Sequence, residues 1–189
     1  PERFGFDPFQ DIQVLTPMHR GVTGSINLNR NLQSVLNPDG TGFEHREQWF
    51  KTGDKLMQQQ NDYDKQVFNG DTGRIVFCDP KSREIHVSFD QGPVRYTAKE
   101  IDQLALAYAI SVHKSQGSEY PALILPLTTH HYMMLQRNLL YTALTRGKQL
   151  VILIGTEKAV AMAVKNEEAK TRYTSLPRHF REMKELMAL

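Results

Sequence analysis

Short apolar runs bounded by turn residues recur along the chain, at Ile12–Thr16, Leu106–Val112, Ala122–Leu127 and Leu150–Ile154. In the last of these, Val-Ile-Leu-Ile is the continuous pattern expected of a strand covered on both faces. Between the runs the spacing of apolar residues becomes helical. Over Ser25–Val35, Ile26, Leu28, Leu32 and Val35 fall near one face, and the turn Asn37-Pro38-Asp39-Gly40 stops the helix. Over Met133–Leu144, Met134, Leu135, Leu139, Leu140 and Ala143 repeat at helical spacing and predict a second one. Alternation of strand and helix predicts parallel βαβ units, with ligands gathered at the carboxyl ends of the strands.

The stretch from about Glu44 to Leu104 breaks this rhythm. Its strand-like runs are short, at Lys55–Gln59, Gly73–Cys78, Glu84–Phe89 and Val94–Thr97. They are separated by the turn clusters Asn69-Gly70-Asp71, Asp79-Pro80-Lys81 and Asp90-Gln91-Gly92-Pro93. Strands of this length and spacing predict a small antiparallel barrel. Because βα units resume after it, the barrel is expected to be an insertion within the α/β domain. No internal repeat or low-complexity tract is visible. The C-terminal stretch from about Thr171 is charged and is expected to be a partly ordered helix.

Composition narrows the class of protein without choosing a function. A chain of 189 residues is long enough to bury a real core, and 40% hydrophobic with 23% charged residues is ordinary for a globular protein. No run approaches the ~18 apolar residues of a membrane span, and the start lacks a signal-peptide pattern. The chain opens Pro-Glu-Arg without methionine, so it is expected to be cut from a longer one. The single cysteine, Cys78, excludes an internal disulfide framework and fits a reducing cytoplasm. A net charge of +2 permits nucleic-acid binding but does not predict it.

Candidate chemistry concentrates in two segments. Leu-Ala-Tyr-Ala-Ile-Ser-Val-His-Lys-Ser-Gln-Gly-Ser-Glu-Tyr spans residues 106–120, and Leu-Leu-Tyr-Thr-Ala-Leu-Thr-Arg-Gly-Lys spans residues 139–148. Each is an apolar element that ends in small polar and charged groups with a glycine at the turn. A packing element gains nothing from His113, Lys114, Ser115, Gln116, Gly117 and Glu119 arriving together, whereas a site for phosphates and a ribose does. After the first run the chain is expected to enter a loop and then a helix, so that amides near Gly117 face an anion. His113, Lys114 and Ser115 are donors suited to phosphate oxygens of a nucleic-acid strand. Arg146 follows a predicted helix; it either answers the helix dipole or reaches a phosphoryl group across a cleft.

Together these segments resemble the last two motifs of the superfamily 1 DNA helicases, and His-Lys-Ser-Gln-Gly-Ser-Glu is close to the RecD-like branch. Residues Gln13–Gln33, with Pro17-Met18-His19-Arg20-Gly21, resemble the fourth helicase motif more loosely. Asn61-Asp62-Tyr63 and Phe68-Asn69-Gly70-Asp71-Thr72-Gly73 resemble the branch's pattern in its barrel, although Asn-Gly is hairpin chemistry on its own.

The resemblance implies a fold. Residues 1–43 and 105–189 would form the second RecA-like motor domain, an α/β domain of the P-loop NTPase type with a parallel sheet. Residues 44–104 would form an inserted SH3-like antiparallel barrel.

It also implies an activity, that of an ATP-dependent helicase moving five-prime to three-prime on single-stranded DNA in recombination or repair. Arg146 would be an arginine finger and Arg20 a second arginine at the same nucleotide. Gln116, Gly117 and Glu119 would bind the nucleotide, with Glu119 accepting from the ribose. His113, Lys114, Ser115 and Tyr63 would contact DNA.

The chain has no Gly-x-x-x-x-Gly-Lys-Ser/Thr segment and no acidic pair after a buried strand. By itself it is therefore not expected to hydrolyse ATP, and the ligands of Mg2+ are expected in a first motor domain of the same protein. Its Cys and His spacing matches no zinc pattern, and no resident metal is expected. The other partners expected are single-stranded DNA, that first motor domain, and repair or recombination proteins. Two alternatives are a non-enzymatic nucleic-acid-binding module and a protein-docking module.

Overall fold

The computed structural model describes residues 4–167 together with Ser175, His179, Phe180, Met183 and Lys184. The helical tail expected from about Thr171 otherwise lies outside the described residues. The chain opens with β1 (Ile12–Thr16) and α1 (Ser25–Leu36), followed by a hairpin of β2 (Gly42–His45) and β3 (Gln48–Lys51). Next come β4 (Lys55–Gln58), β5 (Thr72–Asp79), β6 (Glu84–Phe89) and β7 (Gly92–Tyr96). Two short strands follow, β8 (Leu104–Leu106) and β9 (Ala109–Ser111). The last elements are β10 (Tyr120–Leu127), α2 (Arg137–Leu144), β11 (Gly147–Gly155) and α3 (Glu157–Lys165).

Four strands make a wholly parallel sheet in the order β11-β10-β1-β9. Its register pairs Ile12 with Ala122, Thr16 with Ser111 and Tyr120 with Gly147. Leu15, Ile110, Leu123, Leu125 and Leu127 from this sheet meet Leu139, Leu140 and Ala143 of α2 and Ala159 and Ala163 of α3 in one core. A second sheet, antiparallel and in the order β7-β6-β5-β4-β8, draws all its strands from Lys55–Leu106. It surrounds its own core of Leu56, Ile75, Ile85, Val87, Phe89 and Tyr96. The β2–β3 hairpin lies against β5, adds Phe43 and Phe50 to that core, and was not expected from the sequence.

Several elements differ from the sequence pattern, each for a physical reason. The apolar run Leu106–Val112 is not one strand. Leu106 closes β8 in the antiparallel sheet, and Ala109 opens β9 in the parallel one. A continuous apolar run carries no mark of where the chain changes sheets.

The Val-Ile-Leu-Ile strand is not covered on both faces either. β11 is an edge strand paired to β10 alone, and its Leu153 and Ile154 are 40% and 55% exposed. The strands buried on both sides are the two central ones, β1 and β10. Helix α2 begins only at Arg137, because the preceding residues form a 3-10 helix at Thr129–His131 and a turn.

Helix α1 has the predicted span, but its inward stripe is polar. Ser25, Asn29 and Gln33 are buried, whereas Ile26 and Val35 are exposed. The inversion follows from what the helix packs against. Strand β9 ends the parallel sheet and leaves backbone groups without a neighbouring strand, and a buried amide without a partner is costly. Asn29 accepts from the Ala109 amide and donates to the Ala109 carbonyl, both at 2.8 Å, so one side chain stands in for the missing strand. Gln33 donates to the Trp49 carbonyl at 2.9 Å and to Asp54 at 2.6 Å. Among the described residues no helix is long and apolar enough to cross a membrane.

Candidate functional site

All four strands of the parallel sheet point the same way, so the loops that enter them lie on one edge and those that leave them on the other. Gly117 and Glu119 lead into β10, and Arg146 leads into β11, so these three gather at the amino edge. The β1–α1 loop with Arg20 leaves the carboxyl edge, as do His113 and Lys114 after β9. Residues 112–119 therefore cross from one edge of the sheet to the other, passing β1 and lying against α2.

At the amino edge the two motifs are bonded together. Arg146 donates from Nη1 to the Ser118 carbonyl at 3.1 Å and from Nε to the Thr142 carbonyl at 3.2 Å. Its Nη2 reaches the Thr145 hydroxyl at 3.2 Å, and its own carbonyl accepts from the Tyr120 amide at 2.8 Å. The arginine thus satisfies a carbonyl in the last turn of α2 and at the same time fixes the Gly117 turn. A guanidinium has five N–H donors, so part of the fork stays available to an oxyanion. Beside it Glu119 pairs with Lys148 of β11 at 3.0 Å. Both side chains are about half exposed, and such a pair opens at little cost.

Gly117 has a φ of +87° and open space where a Cβ would stand, so the turn needs glycine for its backbone and not for room. No helix follows it. Val112–Ser115 form a four-residue 3-10 helix, Ser118 donates back to the Ser115 carbonyl at 3.1 Å, and β10 begins at Tyr120. The expected helix N-terminus facing an anion is therefore absent at this position. Gln116 is exposed beside the glycine.

At the carboxyl edge His113 is exposed, and Lys114 is held by a bond from its Nζ to Oε1 of Gln59 in the barrel. Partial burial lowers the Lys114 pKa. Ser115 is fully buried and donates to the Val112 carbonyl at 2.7 Å, so its hydroxyl closes the 3-10 turn and is not offered to a phosphate. Arg20 is exposed in the β1–α1 loop, on the opposite edge from Arg146. Arg20 follows its strand, whereas Arg146 precedes its own. Tyr63 is 75% exposed on the barrel, its ring edge-on to Phe68 at 5.9 Å.

Sequence reasoning missed Gln59, Lys148 and Ser118, which touch the motif residues. Only Lys148 carried a local signal, as a cation directly after Arg146-Gly147. Cys78 is buried and its thiol is pushed up to about 11 by burial, which suits a packing role. Between α1, β9 and the barrel lies a cleft of about 940 Å³, lined in part by Arg30, Arg46, Trp49, Gln59 and Lys114.

Comparison with known proteins places these features in a family. Residues 28–89 match the ATP-dependent RecD-like DNA helicase SH3 domain, and residues 106–154 match the UvrD-like helicase C-terminal domain. An ATP-dependent RecD2 DNA helicase of Deinococcus radiodurans is 37% identical over 165 residues, which are 87% of this chain and 23% of that protein. A RecBCD enzyme subunit RecD of Mycobacterium tuberculosis is 34% identical over 147 residues, 77% of this chain and 25% of that protein. The chain thus spans about a quarter of the length of the curated relatives it matches.

Among solved structures, Bacteroides Pif1 bound to single-stranded DNA superposes with a TM-score of 0.59 at 17% identity. The match covers 95% of this chain and 47% of that one. Pif1 helicase from Candida albicans gives 0.56 at 15% identity, over 94% of this chain and 50% of that one. These two establish the α/β helicase fold. With the barrel matching one family description and the resumed α/β unit the other, the chain belongs to the RecD-like DNA helicases, whose SH3 domain and C-terminal helicase domain it carries.

Proposed function

We propose that this chain is the second half of the motor of an ATP-dependent DNA helicase, which moves five-prime to three-prime along single-stranded DNA and unwinds duplex during recombination or repair. The observation that supports this reading best is the bond from Arg146 to the Ser118 carbonyl, which joins the two helicase motifs at one edge of the parallel sheet. Residues 1–43 and 105–189 act as the motor domain and residues 44–104 as its inserted barrel, apart from the ends of β2 and β8, which carry the barrel out to Gly42 and Leu106. ATP supplies the phosphoryl chemistry when it is bound against a partner motor domain.

Arg146 fits that role because its guanidinium is half-buried, permanently charged and already aimed by three bonds. In phosphoryl transfer such a finger is worth roughly 10³–10⁵ in rate. Glu119 exchanges its exposed bond to Lys148 for a ribose hydroxyl, and Gln116 and Gly117 line the same turn. Among the described residues no group of three or more His, Cys, Asp or Glu side chains is arranged to hold a metal ion. The ligands of magnesium belong, in this reading, to the first motor domain of the same protein.

Lys114 and His113 at the other edge take phosphates of the strand, with Arg20 better placed to join them than to reach the nucleotide. Tyr63 offers an exposed ring to a base. Residues 112–119 touch both edges, so a shift at the nucleotide is passed to the strand through one short segment. The protein works in a reducing cytoplasm, with recombination or repair proteins as further partners.

Strand separation by the full-length helicase tests the direction. Duplexes with a five-prime tail should be opened with ATP, while those with a three-prime tail stay paired. Opening of the three-prime-tailed duplex alone would refute the assigned polarity. Tight DNA binding without any opening would favour a non-enzymatic module.

A further inference from the structure

Lys114 of the motif segment is held directly by the barrel. Its backbone is pinned where the Ser111 hydroxyl accepts from the Lys114 amide at 3.3 Å, and its Nζ donates to Oε1 of Gln59. Gln59 is itself fixed from two sides. Its amide donates to the Gln103 carbonyl at 2.7 Å, and its Nε2 donates to the Met57 carbonyl at 3.2 Å. The acceptor offered to the lysine is therefore oriented by the end of β4 and by the turn before β8, both parts of the barrel.

The chemistry of the acceptor matters. An ammonium has three N–H donors. A neutral amide engages one of them without cancelling the charge, whereas a carboxylate would neutralise it. Among the described residues no carboxylate lies within ion-pair distance of Lys114. A long flexible side chain held in advance also surrenders less freedom when its ligand arrives.

We infer that Gln59 is a positioning residue for Lys114, through which the barrel sets the aim of a phosphate-binding lysine on the motor domain. The inference rests on the reading of Lys114 as a contact to the DNA backbone. It gives the inserted barrel a part in strand binding that needs no contact of its own with the strand. It also explains why the lysine points across the cleft toward the barrel instead of into open solvent.

The test uses the full-length helicase and a fluorescent oligothymidylate, with affinity measured over a series of salt concentrations. Removing one phosphate contact from a single strand lowers the slope of log affinity against log salt by about 0.7. Lys114→Ala should show that fall. Gln59→Leu should show at least half of it, and the double variant should match Lys114→Ala within twofold. In DNA-stimulated ATP hydrolysis, Gln59→Leu should raise the DNA concentration for half-activation while leaving the rate at saturating DNA unchanged. Gln59→Asn, which keeps the polarity but is one methylene too short, should behave like Gln59→Leu and guards against a folding defect.

A normal slope in both Gln59 variants, beside a reduced one in Lys114→Ala, would overturn the inference and leave the reading of Lys114 intact. A normal slope in Lys114→Ala would overturn both.

Discussion

The phenol of Tyr108 donates to Oδ1 of Asp54 at 2.9 Å and ties the residue just before β9 to the residue just before β4. The same carboxylate accepts from Gln33 at 2.6 Å, from Asn37 at 2.7 Å and from the Lys51 amide at 2.7 Å. Asp54 has no exposed surface, and burial raises its pKa against the pull of these donors. Helix α1, the hairpin, β4 and the entry to the parallel sheet thus meet on one side chain. Asp54→Asn puts an amide where only an acceptor fits, and should cost about 2–4 kcal/mol. Urea unfolding should show a lower midpoint with an unchanged slope, and an unaltered midpoint would mean that the donors are not needed.

Asn29 closes the edge of β9 through both Ala109 backbone groups. Asn29→Leu keeps the volume but leaves that amide and carbonyl buried without partners, at about 1–3 kcal/mol for each. Native-state hydrogen exchange should show the Ala109 amide losing protection before the amides of β10 do. Equal protection in the variant and the wild type would contradict the edge-capping role.

Lys55 provides a pH-dependent test. It is buried, its Nζ donates to the Ile12 carbonyl at 3.2 Å, and burial brings its pKa down from 10.5 to about 8 despite Asp7 and Asp11. Between those two values the unfolded chain binds the proton and the folded chain does not, so stability rises with pH across that window. Below about 8 both states are charged, and the folded state bears the full cost of burial. Lys55→Met should therefore stabilise the chain at pH 7, and the gain should vanish above about pH 10.5. Chemical denaturation at several pH values checks this, and a gain that grew with pH would contradict it.

Much of the fold is legible in the residues. The ends of β1 and β6 and the start of α1 follow from apolar spacing and turn chemistry, and Leu139, Leu140 and Ala143 face inward as their period predicts. What escapes local reading is settled by distant partners. Nothing near Leu106–Val112 says that the run is shared between two sheets. Nothing in α1 says that its buried stripe is the polar one, because that depends on Ala109 and Asp54, far along the chain. The chemical cluster was legible as composition at Val112–Tyr120 and Leu139–Gly147, but its two-edged arrangement depends on strand direction. The placement of Arg20 on the edge opposite Arg146 was not legible for that reason.

The central claim is that Arg146 completes a nucleotide site that the rest of the helicase supplies. Its most direct test is ATP hydrolysis by the full-length protein, with and without single-stranded DNA, for wild type, Arg146→Ala and Arg146→Lys. Arg146→Ala should lower DNA-stimulated hydrolysis about 10²-fold or more with DNA affinity retained, and lysine, which has the charge without the fork, should not rescue it. Hydrolysis that stayed at the wild-type rate in Arg146→Ala would contradict it.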